Sequence, residues 1–249
     1  YADFVMADFA NSFSVDGKVL NGFFICYVIL QLLLVHVPLL IALIAADMIS
    51  GEANMGTLRI LLTKPQSRTA IVMAKFIASV IYTLLLLIWI AIMGLFLSML
   101  IFGTDDLFLM KSSYVVIVKE SDVFWRYAGA FCFAALAMVT VAALGFFLSF
   151  FAENSIGPIV ATMSVIIVCT ILSTMNIPLF NLIKPYLFTT HMITWKEFFD
   201  FKVNDANEAI IGSIQYPDKI IRSATVLAIH IVLFVGSAVW LFRKKDILS

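Results

Sequence analysis

The chain has 249 residues, 63% of them hydrophobic and 13% charged, and a formal net charge of zero. Its mean hydropathy of +1.06 excludes an ordinary soluble domain, in which roughly half the residues are apolar and about a quarter charged. Zero net charge gives no electrostatic case for a nucleic acid or an acidic partner, so the information lies in where the charges fall.

Five long stretches carry no Asp, Glu, Lys or Arg. A helix needs about 20 such residues to cross a hydrocarbon core, and runs this long without alternation specify helices rather than a barrel. The expected architecture is an all-α transmembrane bundle, a single permease-like domain over 1–249 with spans at about 20–46, 76–102, 127–151, 155–175 and 223–242. Ahead of the first span, Tyr1 to Lys18 carries one Lys against Asp3, Asp8 and Asp16 and no signal peptide. A start at Tyr1 suggests a piece of a longer polypeptide, with one more span upstream to make six.

The first span holds Asn21, Gln31 and His36, with Pro38 two residues after the histidine. Pro38 should kink the helix. Ionisable groups inside a membrane are functional candidates, which singles out His36; Gln31 and Asn21 could line a path or bond another helix, and Gln31 and His36 are the candidates for a translocation path. The alternative for His36 is a neutral ring bonded to a carbonyl freed by the proline.

Residues 47–70 form a polar insert between two apolar segments. Placed on a helix, Glu52 to Lys64 puts Met55, Leu58, Leu61 and Leu62 on one face and Glu52, Gly56, Arg59 and Thr63 on the other. Pro65 stops this helix, and Ser67 can cap the next. Glu52, at the helix start, complements the helix dipole. Gly56 reads as a close-approach or flexing position. Two readings stand side by side: a helix lying on anionic lipid through Arg59, Lys64 and Arg68, or a lever docked in a soluble partner.

In the third span, Ala and Gly occupy half the positions from Ala128 to Gly145. Small residues let membrane helices approach closely, which makes this the central helix of a bundle or a dimer seam. After the fourth span, residues 176–222 are not a simple loop. Ile177 to Phe188 is apolar but proline-broken and too short to span, and Trp195, Phe198, Phe199 and Phe201 follow. This reads as a re-entrant or interfacial segment, or else as a loop on the headgroups. In the last span, His230 reads as structural.

Basic residues mark the cytoplasmic side. Arg59, Lys64, Arg68 and Lys75 in the insert, and Arg243, Lys244 and Lys245 in the tail, place both inside. An even number of spans separates them, so the two assignments agree, and Tyr1 falls outside. Cys26, Cys132 and Cys169 lie in apolar runs without metal-ligand spacing. No catalytic constellation lies in the spans, no deep carboxylate suggests ion coupling, and no phosphate-binding loop is present.

The run Gly51-Glu52-x-x-x-Gly56-Thr57-Leu58-Arg59-x-Leu61-Leu62-x-x-Pro65-x-Ser67-Arg68, followed by Lys75, resembles the cytoplasmic signature of ABC-2-type transporter permeases. The tail from Phe242 to Leu248 and the break after the fourth span are also similar to that family. The likeness covers nearly the whole chain, with the family's first span absent. Gly51 stands where that family often has a first Glu, and Arg59 where a Glu is common. The resemblance implies an ABC-2 (type V exporter-like) helical bundle in a bacterial inner membrane. It implies a coupling helix, built from Glu52, Met55, Gly56, Thr57, Leu58, Arg59, Leu62, Pro65 and Arg68, that seats in a separate ABC ATP-binding subunit. It further implies a second permease copy, identical or related, and no enzymatic activity or cofactor in this chain, ATP and Mg being bound by the ATPase. The bilayer is the other partner. A non-transport alternative is a membrane scaffold or mechanical assembly factor on the same fold. The apolar spans favour an amphiphilic cargo over a strongly charged one.

Overall fold

The computed structural model describes residues 20–57, 66–110, 115–175, 177–203 and 210–244. Among these the chain is mostly helical. Four helices are long and apolar enough to cross a membrane: Arg68–Phe102, Glu120–Phe151, Ile156–Thr174 and Pro217–Lys244. A bent pair, Gly22–Leu32 and His36–Ala45, makes up to five if it is one span.

Helix α1 spans Gly22–Ala45. Asn21 caps it: its Oδ1 accepts the Phe24 N–H at 2.9 Å, and its Nδ2 donates to the Asp106 carbonyl at 2.6 Å. Asn21 is therefore a helix cap rather than a path-lining group. Pro38 removes the N–H that would bond the Leu34 carbonyl, and α1 bends between Leu32 and His36 as expected. Helix α2, Asp47–Asn54, follows.

Helix α3, Arg68–Ala91, runs on through a π-helical turn, Ile92–Leu97, into the short α4, Ser98–Phe102. Next comes a feature absent from the all-α expectation. Strands β1 (Leu107–Met110) and β2 (Val115–Val118) pair antiparallel, Leu107 opposite Val118 and Leu109 opposite Val116. The β-branched Val-Val-Ile-Val run favours the pleated state, and these four paired side chains are buried. Both strands are too short to span a bilayer.

Helix α5, Glu120–Leu148, ends in a 3-10 turn, Ser149–Phe151. Its most apolar window is 61% buried, against 22%, 17% and 22% for the other three. Its small residues thus serve a central helix within this chain. Helix α6, Ile156–Thr174, is capped by Asn154, whose Oδ1 accepts the Gly157 N–H at 3.0 Å. Short pieces follow: α7 (Pro178–Asn181), a 3-10 turn (Lys184–Tyr186), α8 (Phe188–Met192) and a 3-10 run (Ile193–Phe199). Pro178 and Pro185 keep them from merging. Helix α9, Pro217–Lys244, closes the described chain. Several of these helices start or end beyond the charge-free runs, because a helix can carry its charged ends past the apolar segment.

The chain divides into two compact units, 1–34 with 87–132 and 195–217, and 35–86 with 133–194 and 218–249. In the first, aromatic rings form the core. Tyr127 packs against Phe23 and Phe199, with Tyr27 and Trp195 also on Phe199. The Tyr127 hydroxyl donates to the Phe23 carbonyl at 2.6 Å. The second unit is built on a cluster of Ile49, Val72, Phe76, Ala143, Phe146, Phe150, Val235, Ala238 and Phe242.

Candidate functional site

The insert differs from the amphipathic helix expected over Glu52 to Lys64. Helix α2 begins earlier, at Asp47, and ends at Asn54. Gly56 has φ 72°, a left-handed conformation that an α-helix cannot continue through. The helix closes as the Met55 and Gly56 N–H groups bond the Gly51 and Ala53 carbonyls at 3.0 and 3.1 Å, a glycine-terminated cap. A Cβ on Gly56 would meet nothing within 4 Å, so the residue is a backbone stop, not a close-approach position.

Ile49, Ser50 and Gly51 are buried, while Asn54 through Thr57 are exposed, Met55 at 70%. The buried side of α2 therefore faces the core cluster through Ile49, and the exposed end is a turn. Leu58, Arg59, Leu62 and Pro65 of the expected coupling set lie outside the described residues.

Glu52 lies in the last turn of α2, not at a helix start. A carboxylate there opposes the negative end of the helix dipole, and a cation offsets it. Lys75, from α3, forms an ion pair with Glu52 and donates to the Met48 carbonyl at 3.2 Å. This single lysine ties α2 to α3. Ser67 caps α3 as expected, accepting the Ala70 N–H at 3.2 Å.

Arg68 opens α3 and donates through Nη1 to the Phe242 carbonyl at 3.4 Å. One residue further along each helix the exchange is returned. Arg243 donates through Nε and Nη2 to the Thr69 hydroxyl at 3.1 and 3.0 Å. The insert, the start of α3 and the end of α9 thus form one fastened surface over the cluster of Val72, Phe76 and Phe242.

Gln31 and His36 both stand at exposed positions on α1. His230 bonds a carbonyl of its own helix, Val226, at 2.8 Å, the structural role expected of it. No group of His, Cys, Asp and Glu among the described residues is arranged to hold a metal ion.

Two polar assemblies escaped the sequence reading. In the first unit, Arg126 has no exposed surface. It pairs with Asp122 through Nε and Nη2, at 2.9 and 2.6 Å, and donates to the Phe198 and Ser213 carbonyls at 2.7 and 2.9 Å. Asp122 also accepts from the Gly212 N–H at 3.1 Å and from the Trp125 indole. The available signal is the i, i+4 spacing of Asp122 and Arg126, which a solvated pair shares. In the second unit, buried His191 bonds Ser223 Oγ at 2.9 Å and the Pro185 carbonyl at 3.0 Å, and the Thr194 hydroxyl donates to Ser223 at 3.0 Å. With Nε2 donating to a carbonyl, Nδ1 is the acceptor of the Ser223 proton. The chain of bonds runs Thr194 to Ser223 to His191 to Pro185 and contains no carboxylate, so it has the makings of a structural tie rather than a nucleophile.

No solved structure matches the chain. A relative from Bacillus subtilis (strain 168), named "Uncharacterized protein YhcI", is 26% identical over 211 residues, which are 82% of this chain and 63% of the relative. The chain therefore spans less than two thirds of the length of that curated relative. A family profile described as "Protein of unknown function (DUF2705)" matches residues 3–248. With nearly every residue inside that match, the chain belongs to the DUF2705 family.

Proposed function

We propose that this chain is a membrane-spanning permease subunit of an ATP-driven ABC exporter, of the ABC-2 type, working with a separate ATP-binding subunit and a second permease copy. The observation that carries the reading is the form of the insert. An exposed turn, Asn54 to Thr57, projects from a short helix whose base is locked to the start of an apolar helix by the Glu52–Lys75 pair. A load applied at Met55 passes through α2 to Lys75 and Ile49 rather than being lost in a free loop. The signature residues around this turn supply the second support.

In this scheme the turn docks in the ATPase, and the permease moves only if its two arrangements make different contacts with that partner. The docking unit begins as a helix stopped at Gly56 rather than as one uninterrupted amphipathic rod. Orientation follows from the basic residues: the turn and the C-terminus face the cytoplasm of a bacterial cell.

The test is co-purification of the chain with ABC ATP-binding subunits of its own organism, co-expressed one at a time. Met55→Asp, Leu58→Asp and Arg59→Glu are expected to abolish recovery of the ATPase while the chain still elutes as a single detergent-solubilised species. Retention of the ATPase by all three variants would sink the docking proposal. Cargo-stimulated ATP hydrolysis in reconstituted vesicles then separates export from a mechanical role.

A further inference from the structure

The end of α9 carries two basic residues, Arg243 and Lys244, that the coupling reading does not use, and they stand beside Thr69 at the start of α3. Arg243 and Lys244 are both exposed. Arg243 spends two of its donors on the Thr69 hydroxyl, and Lys244 holds its ammonium 4.1 Å from the centre of the Trp240 ring. Among the described residues, then, the partners of both cations are neutral, and no carboxylate reaches them. Trp240, itself 56% exposed, shares a helix face with Arg243 and Lys244, at i, i+3 and i+4. Arg68 is held beside them by the Phe242 carbonyl.

The placement matters as much as the charge. The cluster closes a helix long and apolar enough to cross a membrane, which is where an indole sits at headgroup depth. The guanidinium is pre-oriented, because Thr69 fixes the Nε and Nη2 edge of its fork on a side chain that is otherwise exposed. An oriented fork, an ammonium on the next residue and an amphipathic ring one turn back match a singly charged phosphodiester whose acyl chains continue down the apolar helices.

We infer that Arg243, Lys244, Thr69 and Trp240 form a binding site for the phosphate of an anionic phospholipid headgroup. The site rests on the membrane-spanning reading alone and is independent of any ATPase. It would fasten the ends of α3 and α9 to the bilayer surface, leaving the neighbouring turn at Met55 to move relative to a fixed base.

The experiment uses the full chain, delipidated in neutral detergent, with native mass spectrometry reading lipid retention. The probes are phosphatidylglycerol, phosphatidylcholine and inorganic phosphate. Phosphatidylglycerol is expected to bind more tightly than phosphatidylcholine. Arg243→Gln and Lys244→Gln should each weaken it about fivefold, and Arg243→Lys should keep most of the affinity. Inorganic phosphate at millimolar concentration should fail to displace the lipid. Should Arg243→Gln prevent folding, Lys244→Gln carries the test, since it removes only an exposed ring contact. Equal binding of both lipids, an unchanged affinity in the glutamine variants, or displacement by free phosphate would each overturn the site. Release of the chain from membranes by alkaline carbonate would instead remove the spanning reading, and the site with it.

Discussion

At Arg126 a guanidinium is withdrawn wholly from water and satisfied by its partners. One carboxylate accepts from Nε and Nη2, and two backbone carbonyls accept from Nη1 and Nη2. Stranding one member of a buried pair costs roughly 3–5 kcal/mol, whereas replacing both by apolar groups costs much less. Asp122→Asn should therefore lower the thermal unfolding midpoint sharply, and Asp122→Leu with Arg126→Met should recover most of the loss. Equal midpoints for the single and double variants would contradict the account. At Gly56 the demand is on the backbone alone. Gly56→Ala should cost about 1 kcal/mol from the left-handed φ, and Gly56→Asn less, since Asn tolerates that region. The two positions differ in how far they could be read. Glycine inside a polar helical pattern is ambiguous until its φ is known, and a charge pair i, i+4 looks the same whether solvated or enclosed. Burial of Arg126 is decided by Phe198 and Ser213, which lie far along the chain.

At the scale of elements, helix ends were legible and helix faces less so. Ser67 and Pro38 acted as their chemistry dictates, because a cap and a missing N–H work within a turn of the residue. Ser67→Ala is accordingly expected to cost about 1 kcal/mol, seen as faster amide exchange across the first turn of α3. The amphipathic pattern of Glu52 to Lys64 was real in composition, yet a left-handed residue interrupts the helix. The hairpin of β1 and β2 was missed because four-residue strands leave no periodic signal strong enough to outweigh nearby charge. Packing between elements gives a paired expectation. A Cβ at Gly129 would lie 2.5 Å from the Phe198 ring, while one at Gly236 would meet nothing within 4 Å. Gly129→Ala should destabilise by roughly 1–3 kcal/mol through displacement of the ring. Gly236→Ala should be neutral or stabilising, as alanine is the better helix former. A neutral or stabilising effect at both sites would show that helix propensity, not the Phe198 contact, governs.

For the whole molecule, a bilayer demands continuous apolar length of each crossing, and among the described residues four helices, or five with the bent pair, meet that demand. What hydropathy leaves out is the polar scaffolding at the helix ends, where partners come from distant segments. Three apolar helices separate Thr57 from Gln215, so the proposed topology puts these residues on opposite sides. In a background lacking Cys26, Cys132 and Cys169, Thr57→Cys should react with an impermeant maleimide only in inverted vesicles, and Gln215→Cys only in right-side-out ones. Labelling of both from one side would reject that arrangement. The π-helical turn at Ile92–Leu97 adds a different kind of statement about this molecule. A wide turn holds a surplus residue relative to an α-helix of the same rise. Removing one residue from an ordinary span rotates everything beyond it by about 100°, but here a deletion within 92–97 can be absorbed by tightening the turn. This stretch is where the chain should tolerate a change of length, and single-residue deletions scanned along Arg68–Phe102 should find their least damaging positions there.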